Sequence, residues 1–153
     1  MKKELIELLR GGSAHASLRK AFDGISPVNR NKIVPGLPEQ KTVWELLEHL
    51  RIAQEDIIRY TFDEGWISPS FPEGYWSQKD KYNEDNWNKS LKVLFDDLNS
   101  LIKFIENTDF DLSNPIPHGE GRSYLRQVLL VADHNAYHSA QVVDIRKRLG
   151  DWK

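Results

Sequence analysis

Four stretches of the chain repeat apolar residues at spacings of three and four, and the intervals between them hold nearly all of the prolines and most of the glycines. That pattern predicts four helices. The first runs from about Lys2 to Phe22, interrupted at Gly11-Gly12, and stops near Asp23-Gly24 with Pro27 beyond. The second opens on Thr42-Val43-Trp44-Glu45, a capping-box sequence, and its stripe of Val43, Leu46, Leu47, Leu50, Ala53, Ile57 and Tyr60 carries it to about Phe62. The third spans about Glu84 to Asn107, with Trp87, Leu91, Leu94, Phe95, Leu98, Leu101, Ile102 and Ile105 on its inner face. The fourth begins near Ser123 and runs to Leu149, where Arg146, Lys147 and Arg148 suit the negative dipole end and Gly150 stops it.

An all-α four-helix bundle follows, built as one domain over residues 1–153. Two connections, Asp23 to Gln40 and Asp63 to Asn83, are long enough to join parallel neighbours as well as antiparallel ones. The second contains Trp66-Ile67-Ser68-Pro69-Ser70-Phe71-Pro72-Glu73-Gly74-Tyr75-Trp76, too aromatic for a solvated linker. It is expected to pack on the bundle, with a pocket wall or a dimer contact as the functional alternatives.

Charge and composition narrow the function classes. Basic and acidic residues number 21 and 23 and are interleaved, leaving no continuous positive surface, so nucleic acid is not an expected partner. Acids interrupt the apolar run of the first ten residues, unlike the apolar core of a secretory signal, and no apolar run approaches the roughly 20 residues of a membrane span. A soluble cytoplasmic protein is expected. With no cysteine, thiolate ligands, disulfides and a cysteine nucleophile are all excluded, so any metal must sit on nitrogen and oxygen.

Histidine placement supplies the candidate chemistry. His134 and His138 stand four apart in the fourth helix, which sets their side chains about 40° apart in azimuth and about 6 Å apart along the axis. Both share a face with apolar neighbours, where an unpartnered polar pair is costly and a shared ion would satisfy both rings. His49, among Leu46, Leu50 and Ala53, also looks inward. Zinc proteases with histidines four apart place a catalytic Glu directly after the first; here that position is Asn135, which removes that reading.

The helix-two stretch from Trp44 to Ile57 around His49, together with Leu130-Val131-Ala132-Asp133-His134-Asn135-Ala136-Tyr137-His138 and the Leu149-Gly150-Asp151-Trp152 ending, resembles the DinB-like (YfiT-like) superfamily. Pro117-His118-Gly119-Glu120-Gly121 resembles a branch of it. The resemblance implies a four-helix bundle with a long crossover connection, a homodimer, and one zinc or nickel ion held by His49, His134 and His138. It also implies a metal-dependent thiol transferase or hydrolase acting on a small-molecule substrate, with a low-molecular-weight thiol as a possible partner. A non-catalytic metal- or ligand-binding module is the alternative. Three imidazoles leave coordination positions open, as in catalytic sites. His15, Glu48 and Tyr137 are the candidates for a proton carrier or substrate contact, with Asp133 and Gln141 as further neighbours. Glu48 and Asp133 each precede a histidine and are turned about 100° from it, so a surface or inter-helix charge is the plainer role for each. His118, between Pro117 and Gly119, is read as a loop anchor.

Overall fold

A computed structural model describes all residues 1–153. It contains six α-helices: α1 (Lys2–Arg10), α2 (Leu18–Phe22), α3 (Pro27–Arg30), α4 (Val43–Phe62), α5 (Glu84–Asn107) and α6 (Tyr124–Arg148). The long ones start where the side chains dictate. Thr42 Oγ1 accepts from the Glu45 amide (3.2 Å) while the Glu45 carboxylate accepts from the Thr42 amide (2.9 Å), a complete capping box. Asn83 and Ser123 cap α5 and α6 in the same way with a side-chain oxygen.

The first predicted helix is two helices and a loop. Gly11 and Gly12 both take positive φ (65° and 95°), and a side chain on Gly11 would press on the Ser17 backbone at 3.3 Å. The chain therefore leaves the helical path at Gly11 and re-enters at Ser17, whose hydroxyl caps α2. His15 falls in that loop and is exposed.

Contacts fix the directions of the helices. Along α4, Trp44 Nε1 donates to the Gln78 carbonyl (3.2 Å), Gln54 Nε2 donates to the Leu94 carbonyl (2.7 Å), and Phe62 meets the Phe104 ring (4.7 Å). Residue numbers rise together, so α4 and α5 are parallel. Against α6 they run opposite: Phe62 lies by Tyr124, Gln54 by Asn135 and His49 by His138. Because α4 is about 30 Å long, residues 63–83 must return along the bundle before α5 can start, which is the crossover. The α1–α2 segment closes the ring by packing on α5 and α6, giving an all-α four-helix bundle.

Its core is one cluster in which Val43, Leu47, Leu50, Leu94, Ile105 and Val142 are fully buried. One departure from the predicted faces, on α5, matters later. Leu91 and Phe95 of α5 are only half-buried, and Leu129 of α6 is exposed. No helix is long and apolar enough to cross a membrane.

Candidate metal centre

Antiparallel pairing of α4 with α6 brings the middle of one helix against the middle of the other. His49, His134 and His138 meet there, with ring centroids 4.5–4.9 Å apart and one ring nitrogen from each within 4.8 Å of the others. His138 is buried and the other two are half-buried.

Two of the rings are held by hydrogen bonds that also choose their tautomer. His49 Nδ1 donates to the Tyr75 carbonyl (2.9 Å), which can only accept, so Nε2 keeps its lone pair. His138 Nδ1 donates to Gln141 Oε1 (2.6 Å) with the same result. His134 Nδ1 is buried without a partner, so the one polar contact of that ring is from Nε2 to His49 Nε2. The Trp76 indole lies flat on the His49 ring, 4.0 Å between centroids and 5° from parallel, and screens one face of it. Lys41 in turn sits over the Trp76 ring at 4.9 Å.

Burial is the main cause holding all three imidazoles below their ordinary range. His134, which also faces the other two rings, is pushed down to about 4. At neutral pH the cluster is three neutral bases, the form in which imidazole ligates metal. His134 Nε2 and His49 Nε2 are 3.1 Å apart, close to the roughly 3.3 Å that separates two ligand atoms in a tetrahedral zinc site. The donor set is nitrogen only, the tautomers of His49 and His138 leave Nε2 free on the inward side, and the spacing fits an ion; the cluster is compatible with metal binding.

The other predicted site residues scatter. Tyr137 is exposed, its ring edge-on to His138 at 4.9 Å, and it lines a cleft of about 380 Å³ with Trp76, His138 and Gln141. Glu48 turns the other way, buried against α5, where it accepts from Ser90 Oγ (2.5 Å) and pairs with Arg51 (2.8 Å). This is the inter-helix charge, not a group at the histidines. His15 is in the exposed loop after α1, bonded to the Ala16 carbonyl and lining a separate cleft with Ser139 and Trp152. Asp133 is exposed. His118 anchors its loop to the end of α4 by donating to the Tyr60 carbonyl (2.7 Å).

The aromatic crossover supplies what residue-type reasoning missed. Trp66 Nε1 and the Tyr75 hydroxyl both donate to Asp56 on α4 (2.8 and 2.7 Å), which docks the segment so that the Tyr75 carbonyl and the Trp76 ring reach His49. Ile67 and Phe71, at the tip, stay exposed. Only the aromatic content of the segment hinted at this; a backbone carbonyl leaves no trace in sequence.

A family model described as the DinB superfamily matches residues 13–142, a span that includes all three histidines, the whole of α4 and α6 as far as Val142. No curated protein and no solved structure matches the chain. The helical architecture, the clustered histidines and the length of that match agree: the chain belongs to the DinB superfamily.

Proposed function

We propose that His49, His134 and His138 hold one divalent ion, zinc or nickel, and that the protein is a metal-dependent enzyme of thiol-transferase or hydrolase type. The observation that carries this reading is the convergence of three neutral imidazole nitrogens, with Nδ1 of His49 and His138 already committed elsewhere. A divalent ion held by three imidazoles keeps at least one position for a water or thiol and lowers its pKa toward neutrality.

The chain's own residues set the surroundings. Tyr75 and Gln141 fix the rings, Trp76 shields His49 from water, and the cleft walled by Trp76 and Tyr137 admits a small substrate beside His138. Elemental analysis of untagged protein tests the metal: about one equivalent of zinc or nickel in the wild type, lost in the His49→Ala, His134→Ala double variant. Metal absent from the wild type, and not taken up on titration, overturns it.

One observation favours the second reading, a metal-binding module without turnover: of the three candidates for a proton carrier or substrate contact, neither Glu48 nor His15 contacts the cluster, and Tyr137 alone lies beside it. Cobalt-substituted protein separates the two. A visible spectrum that shifts on adding a small thiol means an open position and supports the enzyme; a spectrum unchanged by thiols supports the closed module.

A further inference from the structure

On the far side of the bundle from the histidines, between the α2–α3 segment and α5, lies a cleft of about 500 Å³, larger than the one beside His138. Its floor is apolar, formed by Phe22 and Ile25 against Leu91 and Phe95. These are the α5 positions that the helical pattern predicts to be inward and that the fold leaves half-open.

Two guanidinium groups flank this floor, each laid on an aromatic ring. Arg19 is 4.2 Å from the Phe95 centroid and Arg30 is 4.8 Å from that of Trp87. Stacking holds a guanidinium plane in place while leaving its N–H edge free to meet a carboxylate. Arg19 is exposed and forms no ion pair. Arg30 pairs with Glu84 through Nη1, but its Nε is buried with no hydrogen-bond acceptor. A buried charged donor without an acceptor is costly, and an anionic oxygen satisfies it best once Arg30 shifts to open Nε, which is closed to solvent in this structure. The rim is close to charge-balanced, with Asp96 paired with Lys92, Glu84 with Arg30, and Asp23 the remaining acid of the lining, so Arg19 is the one cation there without an ion pair.

We infer that this cleft is a binding site for a small organic carboxylate, its apolar body on Leu91 and Phe95 and its carboxylate between Arg19 and Arg30. The site is separate from the histidine cluster and does not depend on any metal there. Cation and aromatic surface without the metal ligands suit recognition rather than chemistry, so the bound acid is a ligand, not a reactant.

The test uses the full-length chain, with 1-naphthoate as probe and its neutral amide, 1-naphthamide, and inorganic phosphate as controls, followed by amide chemical shifts. Naphthoate is expected to saturate in the millimolar range or below and to shift Ile25, Leu91 and Phe95. Arg19→Gln should weaken it by about tenfold, the loss of one charge-assisted contact. Leu91→Trp, which fills the floor between the two stacked guanidiniums, should abolish it. An unchanged far-UV spectrum and melting temperature verify the fold of each variant. No saturable shift with naphthoate, equal binding of the neutral amide or of phosphate, or full affinity in both variants would each overturn the proposal.

Discussion

Helix α4 presents two polar patches to α6, little more than one turn apart, and they are resolved in opposite ways. At Gln54 most polar atoms answer one another: its amide donates to the Leu94 carbonyl and its oxygen accepts from Asn135 Nδ2 (2.9 Å), tying α4, α5 and α6 together and leaving only Asn135 Oδ1 without a partner. At His49 three bases face each other with no acid among them, and no proton arrangement satisfies every nitrogen. A tie held by its own hydrogen bonds lacks a single donor, at Asn135 Oδ1, whereas a cluster of lone pairs is completed only by something positive from outside. Burial alone does not mark a functional site; the mismatch of donors and acceptors does.

The sharpest way to break this contrast is to remove one base. His138→Ala should cost metal affinity more than the roughly hundredfold typical of losing a hydrogen-bonded neighbour of a ligand, read by competition with a chelating dye. Stability of the metal-free chain should suffer less, since the ring removed is one of three bases without an acid and its one side-chain hydrogen bond is to Gln141. Gln54→Ala should do the reverse. It strands the Asn135 amide in a buried place and removes the second donor from the Leu94 carbonyl, which keeps its helical bond, so urea unfolding should show a loss of about 1–3 kcal/mol with metal stoichiometry unchanged. If Gln54→Ala lowered metal content as much as His138→Ala does, the two patches would be one network and the contrast would fail.

How far the sequence carries depends on whether the physics is local. The starts of α4, α5 and α6 are readable because a cap is decided by residues three apart, and the inward turn of His49, His134 and His138 follows from helical period alone. Gly11-Gly12 marks the break after α1 but not its length, which is set where Ser17 can cap again. That difference moves His15 from a helix face to an exposed loop. Glu48 shows the same limit: its side of the helix is readable, but its partner Ser90 lies 42 residues away across the crossover. The Tyr75 carbonyl and Trp76 ring are least readable, because they reach His49 only once Asp56 has docked the returning segment.

Smaller effects sharpen the comparison within the cluster itself. Gln141→Ala frees His138 to rotate and to lose its tautomer preference, so metal affinity should fall by about tenfold, the low end for such a neighbour. Nothing comparable exists for His134, whose Nδ1 has no partner to remove.

The pH dependence of the metal-free chain should be the weakest signal and has a definite sign. His134 is held at about 4 in the folded state against an ordinary 6.5, so between those values the unfolded chain binds a proton that the folded chain refuses. Stability is therefore fully present above about pH 6.5 and declines as pH falls toward 4, below which this contribution to the decline is complete. His49 and His138 are shifted the same way and add to it. Because His134 is not fully buried, solvent screening reduces its share to about 1 kcal/mol. Urea titrations of apoprotein across that window should show the decline, and His134→Gln should flatten it. Bound metal should deepen it, since the ligands must then shed the ion as well as take up protons. A slope of the opposite sign in the apoprotein would mean that the rings share a proton between them and are not three neutral bases.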